Sequence, residues 1–549
     1  MDPSLQRRTD PKSITGKAPT PDRRVPLVVV GAGPAGVAAA IEAARAGVET
    51  VLLDENPIDN DLLAMDVPLW FGKRLHPSLR HRAGMLERVV AANPALADAY
   101  DAGVEVQLGV SVWSAFRNGP ALRELDGPLL GLADVERSWL LGYQRLVVAA
   151  GARDLAMAFP GWDKAGAMGA NGAFALMTRY RALVSQRMVV VGSGPLGLAT
   201  AALALERGVE VAAVVEVEAE VRGDAALRRA LQDKGVRFLT GHTVQAARGA
   251  TGEVESVVLV RLDGDLAPIR GSETELGCDT ICLAVGLVPN VELLNLLDCR
   301  LVFRSELGGF VPETDEWMRT SVPEVFVAGD GAGFHEGMVP DPEVARGQGR
   351  LAGLAAAASL GALDEGRARA RRAELGAPSA GRPQEVHSHW RRWLRSLINA
   401  GGWEVHACQC EEVTRRELVE VQPPRYLGRR SDPMRARTLH TLLADGPVHP
   451  DQIKRLTRVG MGPCQGRRCR EQVALLLAEQ AGTPVSELPL ASYRPPVRPL
   501  PLSVLWPPDE PAAMREDWVV WFGIPTQFAP HWNPTAVMGP NQSPLMVDK

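Results

Sequence analysis

The apolar run Leu27 to Val30 leads straight into a glycine cluster, and its residues do not alternate with polar ones. That is the pattern of a strand buried on both faces. Pro34 to Ala46 is Ala-rich and reads as a helix that Gly47 ends. Thr50 to Leu53 is a second apolar strand. The order strand, Gly-rich turn, helix, strand then returns in "RMVVVGSGPLGLATAALALERGVEVAAVVEVE", whose second strand ends at Glu216. Two such units, about 160 residues apart, predict two dinucleotide-binding modules in an α/β chain.

Three further apolar runs close on glycine: "QRLVVAAGARD" at Gly151, "DTICLAVGLVPN", and "TSVPEVFVAGDGAG" with Gly329 and Asp330. Around Asp364 the pattern breaks into the Arg-rich "DEGRARARRAELGAPSAGRPQE", which has little to bury and reads as a connector, with a solvated helix as the alternative for its N-terminal half. Helical periodicity resumes in "REQVALLLAEQAG". From about Leu488 the chain is rich in Pro and Trp. The expected organisation is a disordered arm over 1–25, a first nucleotide-binding domain over 26–155 and 289–363, and a second over 156–288. A linker follows over 364–399, then a cysteine-bearing domain over 400–485 and an extended tail over 486–549.

Composition changes this picture little. The 549 residues carry 60 basic and 65 acidic side chains, a formal net charge of −5, which supplies no reason to expect a nucleic-acid partner. No apolar run approaches the length of a membrane span. The first 25 residues are polar; Arg7 and Arg8 are not followed by an apolar segment, so the arm does not read as a signal peptide. Seven cysteines, four of them clustered, suit a reducing cytoplasm better than a disulfide framework.

Gly31, Gly33 and Gly36 form a G-x-G-x-x-G, with Pro34 and Ala35 opening the helix. In such a turn the first glycine permits the bend, the second lets backbone approach a pyrophosphate, and the third lets helix and strand pack closely. The helix N-terminus then meets the phosphates. Asp54, with Glu55 beside it, stands where an acid would grip the ribose. Gly192, Gly194, Gly197 and Glu216 repeat the arrangement.

The order of these elements, with Gly151 closing the middle strand and Asp330 the last, resembles the glutathione-reductase-like flavoproteins. The resemblance covers about residues 26 to 360. It implies FAD at the first unit, held at its ribityl chain by Asp330, and NAD at the second. There Glu216 would accept ribose hydroxyls and repel a 2′-phosphate. A second unit kept as scaffold, or holding an adenine nucleotide that does not react, is the alternative. No cysteine precedes Cys278, so the redox pair of a disulfide reductase is missing; Cys278, Cys282 and Cys299 read as core residues.

Cys408 and Cys410 in "HACQCEEV", and Cys464 and Cys469 in "MGPCQGRRC", are four thiols in two pairs. Four thiolates can hold a 2Fe–2S cluster or a structural zinc. Zinc modules favour C-x2-C, whereas these pairs are C-x-C and C-x4-C. Gly460, Gly462 and Gly466 would let the backbone turn tightly around the sulfurs, with Arg467 and Arg468 adding charge.

"CQCEEVTRREL" and "TRVGMGPCQGRRC" resemble the bacterioferritin-associated-ferredoxin type of cluster domain. The variant is the one attached to FAD subunits of opine oxidases, hydrogen cyanide synthase and D-hydroxyproline dehydrogenase. The resemblance implies two Rossmann-like domains, a small helical 2Fe–2S domain and an extended tail. It implies an electron-transferring subunit of an oxidoreductase acting on CH–NH or CH–NH2 donors. The partner would be a D-amino-acid-oxidase-like β subunit that holds the substrate. An FMN between subunits and a further small subunit would complete the complex, as in related enzymes.

The chain departs from the family in two places. A "PGGQ"-like turn is replaced by "ENPIDNDLLAMDVPLWFG", so the surroundings of the isoalloxazine, Trp70 included, are expected to differ from the family's, and "PPRYLGRRSDPMRARTLHTLL" is an insertion. Trp506, Trp518, Trp521 and Trp532 in the tail are expected to bind across a partner or a neighbouring copy of the chain, with packing back on their own chain as the alternative. Two rival readings remain: a self-contained NADH-dependent flavin reductase sending electrons out through its cluster, and a non-catalytic cofactor-bearing assembly subunit.

Overall fold

The computed structural model describes residues 20–57, 82–120, 122–250, 252–335, 338–339, 342–376, 385–425 and 431–505. Trp70 and the tail residues Trp506, Trp518, Trp521 and Trp532 lie outside the described residues, as do Arg7 and Arg8.

The first unit is built on strand Arg23–Val30, helix Pro34–Arg45 and strand Thr50–Asp54. Val30 pairs with Leu53 on one side and Val148 on the other, all parallel. Strand Glu105–Leu108 extends the sheet beyond Thr50–Asp54, and Val325–Val327 joins on the other side through Ser138–Val148. The first half of that long strand pairs antiparallel with Leu129–Ala133, which pairs with Ser111–Phe116. One strand therefore serves both a nucleotide-binding sheet and a meander.

Helix Pro34–Arg45 is clamped by helix Glu343–Ser359. A Cβ on Gly349 would lie 2.0 Å from the Ala35 carbonyl oxygen, and one on Gly353 2.2 Å from that of Ala39. Small residues four apart let the two backbones touch, which returns the end of the flavoprotein region to its beginning.

The second unit has the parallel order Arg237–Thr240, Glu210–Glu216, Arg187–Val191, Thr280–Leu283, Ala167–Gly169. A three-stranded antiparallel sheet, His242–Arg248, Ser256–Arg261 and Thr274–Gly277, flanks it. The two crossings between units run side by side as strands Ala152–Asp154 and Leu287–Pro289.

The stretch 364–399 opens on the solvated helix allowed for it, but its second half differs from a connector. Helix Glu365–Leu375 is solvated and reaches the first unit through Arg371 and Glu42, 2.7 Å apart. Helix His387–Gly401 is part of the core: Trp390, Trp393, Leu394 and Leu397 are buried. Their spacing is an amphipathic stripe that the preceding arginine-rich segment obscured.

Beyond it, a short hairpin, His406–Cys408 with Val413–Thr414, precedes helices Arg415–Val419, Leu439–Asp445, Pro450–Thr457 and Arg470–Ala481. These pack on the second unit in one continuous core. Arg415, 1% exposed, donates to the carbonyls of Ala158, Leu397 and Gly402 and so binds three segments together.

The chain then returns to the first unit, where Tyr493 and Val497 join its core. Val497 donates its N–H to the Trp113 carbonyl at 2.9 Å, and Ser138 Oγ donates to that of Val504 at 2.6 Å. Up to residue 504 the tail is thus docked. Among the described residues no helix is long and apolar enough to cross a membrane.

The Gly353 contact gives a direct test. In Gly353→Val the added side chain must push the two helices apart. Urea unfolding is expected to show a loss of about 3 kcal/mol, accompanied by weaker retention of flavin.

Candidate functional site

A cavity of about 370 Å³ opens at the carboxyl ends of the first unit's strands, bounded by Gly31, Gly33, Asp54, Gly151, Asp330 and Arg467 among others. The three glycines of the turn differ in what they do. Gly31 has φ +105°, and a Cβ there would lie 2.2 Å from the Ala149 carbonyl oxygen; at Gly36 it would lie 1.7 Å from that of Gly31. Those two positions are closed by backbone. At Gly33 nothing lies within 4 Å. It is the position where a ligand's phosphate can come against the chain, at the start of a helix whose first-turn N–H groups lack intrahelical partners.

Asp54 stands at the end of its strand as expected, and its carboxylate is already engaged. Oδ2 accepts from the Ala32 N–H at 2.6 Å; Oδ1 accepts from the Asn56 N–H at 2.8 Å and from Asn56 Nδ2 at 2.7 Å. Asp54 therefore shapes the glycine turn. Glu55 borders the cavity and pairs with Arg498 of the docked tail.

Gly151, φ +68°, is open on its cavity side, and Asn290 fixes it: the Asn290 N–H donates to the Gly151 carbonyl at 3.0 Å and Nδ2 to that of Ala150 at 2.9 Å. Gly329, φ +71°, turns the last strand so that Asp330 meets the cavity. Burial pushes the Asp330 carboxyl up to about 6. A buried carboxyl so placed is stabilised by hydroxyl donors, which a ribityl chain carries. The open glycine, the helix start and this carboxyl together fit FAD.

Sequence reasoning missed the ion network on the cavity's far wall. Glu292 Oε1 is 3.2 Å from Arg153 Nη1 and 3.3 Å from Arg467 Nη1, and Arg153 also binds Glu471. Burial opposes the charge on Glu292, but the Arg153 and Arg467 guanidiniums hold its carboxyl below the usual value. Arg467 and Glu471 flank Cys469, so the loop that carries the cysteines is itself a wall of the cavity.

The structure brings all four clustered cysteines together. Cys408 Sγ is 3.9 Å from Cys410 Sγ, which is 3.7 Å from Cys464 Sγ; Cys469 stands beside Cys408. None of the seven cysteines is in a disulfide. Gly462 is needed here, since a Cβ on it would lie 2.5 Å from Cys410 Sγ. Gly460 and Gly466 adopt φ +72° and +79°, and Arg468 donates to Gln409 Oε1 at 3.0 Å.

The Cys408 sulfur, and then burial, push the Cys410 thiol up to about 11, and Cys464 is raised by Cys410 and by burial. Four thiols gathered on tight glycine turns are a donor set that could bind, as thiolates, an iron–sulfur cluster or a zinc ion. Among the described residues no three His, Cys, Asp or Glu side chains are arranged as the ligands of a single ion; the sulfurs form a chain.

In the second unit Gly192, Ser193 and Gly194 are all buried, whereas Gly31 and Gly33 are half-buried and Pro34 is exposed. Gly197 packs on Gly192, where its Cβ would lie 2.0 Å from the carbonyl oxygen. Glu216 is fully buried and accepts from Ser193 N–H at 3.0 Å, Ser193 Oγ at 2.6 Å and the Glu218 N–H at 3.1 Å. Burial raises its carboxyl above the ordinary value.

Two dinucleotide-binding units joined by paired crossings, with the cavity at the first, define an FAD-dependent oxidoreductase. Residues 25–359 match the pyridine nucleotide-disulphide oxidoreductase family, and the chain belongs to it. Residues 435–506 match the sarcosine oxidase A3 domain. The chain is 27% identical over 492 residues to an opine oxidase subunit of Rhizobium meliloti, covering 85% of this chain and 84% of that one. It is 29% identical over 472 residues to hydrogen cyanide synthase subunit HcnB of Pseudomonas aeruginosa, with 80% and 90% covered. The crystal structure of L-proline dehydrogenase from P. horikoshii shares the fold, with TM-score 0.57 and 18% identity over 89% of this chain and 81% of that one. Within the family match, Cys278, Cys282 and Cys299 are buried, and none borders the cavity.

The glycine geometry separates binding from folding. Gly33→Asp is expected to give a folded chain that retains less than about a tenth of the flavin, because a carboxylate at the open position repels a pyrophosphate. Gly36→Val is expected to lower the melting temperature by several degrees or prevent folding. Flavin absorbance and circular dichroism read the two effects.

Proposed function

We propose that this chain is the flavin- and iron–sulfur-bearing subunit of a hetero-oligomeric dehydrogenase or oxidase that acts on the C–N bond of a secondary amine, imino acid or opine-like amino acid. The observation that carries the reading is the position of Arg467. It lies between Cys464 and Cys469, lines the flavin cavity, and is joined to Arg153 through Glu292. The cysteine loop and the flavin cavity share one wall, which suits electron passage between them. The similarity to subunits of opine oxidase and hydrogen cyanide synthase supports a partner chain that holds the substrate. We take that partner to be a D-amino-acid-oxidase-like β subunit, with FMN at the interface.

Oxidation of a C–N bond to C=N releases two electrons and two protons, and the FAD and the 2Fe–2S cluster supply a two-electron store and a one-electron carrier. This chain's residues position and seal that store. Gly33 and the start of helix Pro34–Arg45 receive the pyrophosphate, and Asp330 accepts from the ribityl hydroxyls. The Arg153–Glu292–Arg467 network closes the wall towards the cysteines. Cys408, Cys410, Cys464 and Cys469 hold the cluster.

Metal and sulfide analysis of the purified chain tests the reading. The expected result is about two iron atoms and about two acid-labile sulfides per chain. Cys464→Ser should lose the cluster's absorbance and its reduced-state EPR signal while FAD stays. Dye-coupled amine oxidation with the co-purifying partner should then fall by at least about tenfold. One zinc and no iron per chain would overturn the assignment.

A further inference from the structure

In an open parallel sheet, ligands bind in the crevice at the carboxyl ends of the strands where the strand order reverses. In the second unit that point lies between Arg187–Val191 and Thr280–Leu283. Helix His387–Gly401 lies over it. Trp390 Nε1 donates at 3.2 Å to the carbonyl of Val285, two residues beyond the end of Thr280–Leu283. A Cβ on the next residue, Gly286, would lie 2.6 Å from the same indole nitrogen. The indole therefore rests on the glycine at the mouth of the crevice.

One residue earlier, His389 occupies the ground in front of Glu216, the acid at the end of the second strand. Its Nε2 is 3.8 Å from Glu216 Oε1, and its Nδ1 is 3.5 Å from Glu218 Oε1. Trp393 Nε1, which can only donate, lies 3.0 Å from His389 Nε2. That nitrogen accepts, so the ring is neutral with its proton on Nδ1, towards Glu218. Burial, with Arg222 and Arg392 nearby, favours the same neutral form.

The rest of the helix is anchored at both ends. Arg392 Nε is 2.7 Å from Glu218 Oε1, Ser396 Oγ is 2.9 Å from Thr243 Oγ, and Asn399 Nδ2 donates to the Leu266 carbonyl at 3.0 Å. Trp390 and Trp393 are 2% and 0% exposed. The Gly192–Gly194 turn is itself buried, where Gly31, Gly33 and Pro34 are half-buried or exposed, and it is covered by the segment that carries Arg222 and Gly223, whose N–H groups donate to Ser193.

We propose that helix His387–Gly401 is the permanent occupant of the second dinucleotide crevice, so that this unit docks the chain's own C-terminal region and takes up no nicotinamide or adenine nucleotide. Hydride from NADH then has no route to the flavin through this chain, and electrons enter only from the partner. The inference stands apart from the cluster assignment: it is read by nucleotide binding and helix protection, not by iron.

The test uses the full-length chain with its flavin in place. Calorimetric titrations with NADH, NAD and ATP, each to about 1 mM, are expected to show no saturable binding. Anaerobic NADH should leave the flavin spectrum unchanged, and acid extraction should release FAD alone. Hydrogen exchange should find the amides of residues 390–400 slow, equally so with and without nucleotide. One nucleotide bound per chain overturns the proposal, and so do helix amides that exchange as fast as an exposed segment.

Discussion

The buried carboxylate of Glu292 is shared by Arg153 and Arg467, and most of the molecule's arrangement depends on that sharing. Each of the three comes from a different part of the chain: Arg153 from one crossing between the units, Glu292 from the helix after the other crossing, Arg467 from the cysteine loop. Removing one partner of such a cluster strands a buried charge, at a cost of roughly 3–5 kcal/mol. The network therefore fixes the angle between the units and the place of the cysteine loop together. Arg470, next to Cys469, adds a link by stacking over the Tyr493 ring, 3.6 Å from its centroid, which ties the loop to the docked tail.

The two dinucleotide units show how one local pattern can serve two ends. Both have a glycine turn closed by backbone at its first and third positions, a proline at the start of the helix, and an acid at the end of the second strand. In both, the acid accepts from the glycine turn, Asp54 from Ala32 and Glu216 from Ser193. What differs is what arrives later. At the first unit the tail and the cysteine loop border a cavity and leave it open. At the second, an amphipathic helix lies across the strand ends. An aromatic side chain and a neutral imidazole stand at the places where a cofactor's ring and ribose would bind.

The fold was largely legible in the chain. Short, Val-rich apolar runs that close on glycine read as buried strands, and the positions of Gly31, Gly36, Gly192 and Gly197 are set by close backbone contacts that admit no Cβ. The four clustered cysteines were legible too, because their pairing and the glycines around them leave few other uses. Helix His387–Gly401 was harder to see. Its stripe of Trp390, Trp393, Leu394 and Leu397 is regular, but its arginines and the polar segment before it read as solvent-exposed.

The sequence by itself determined the two nucleotide-binding units, their order, the open glycine turn of the first and the gathering of four cysteines, because strand burial, turn geometry and residue chemistry are local demands. Only the tertiary structure decided that the cysteine loop walls the flavin cavity, that Arg498 reaches Glu55, and that a helix read as linker covers Glu216. These are contacts between residues up to several hundred positions apart. No local pattern encodes them, because each depends on which surfaces remain apolar after the two sheets have formed.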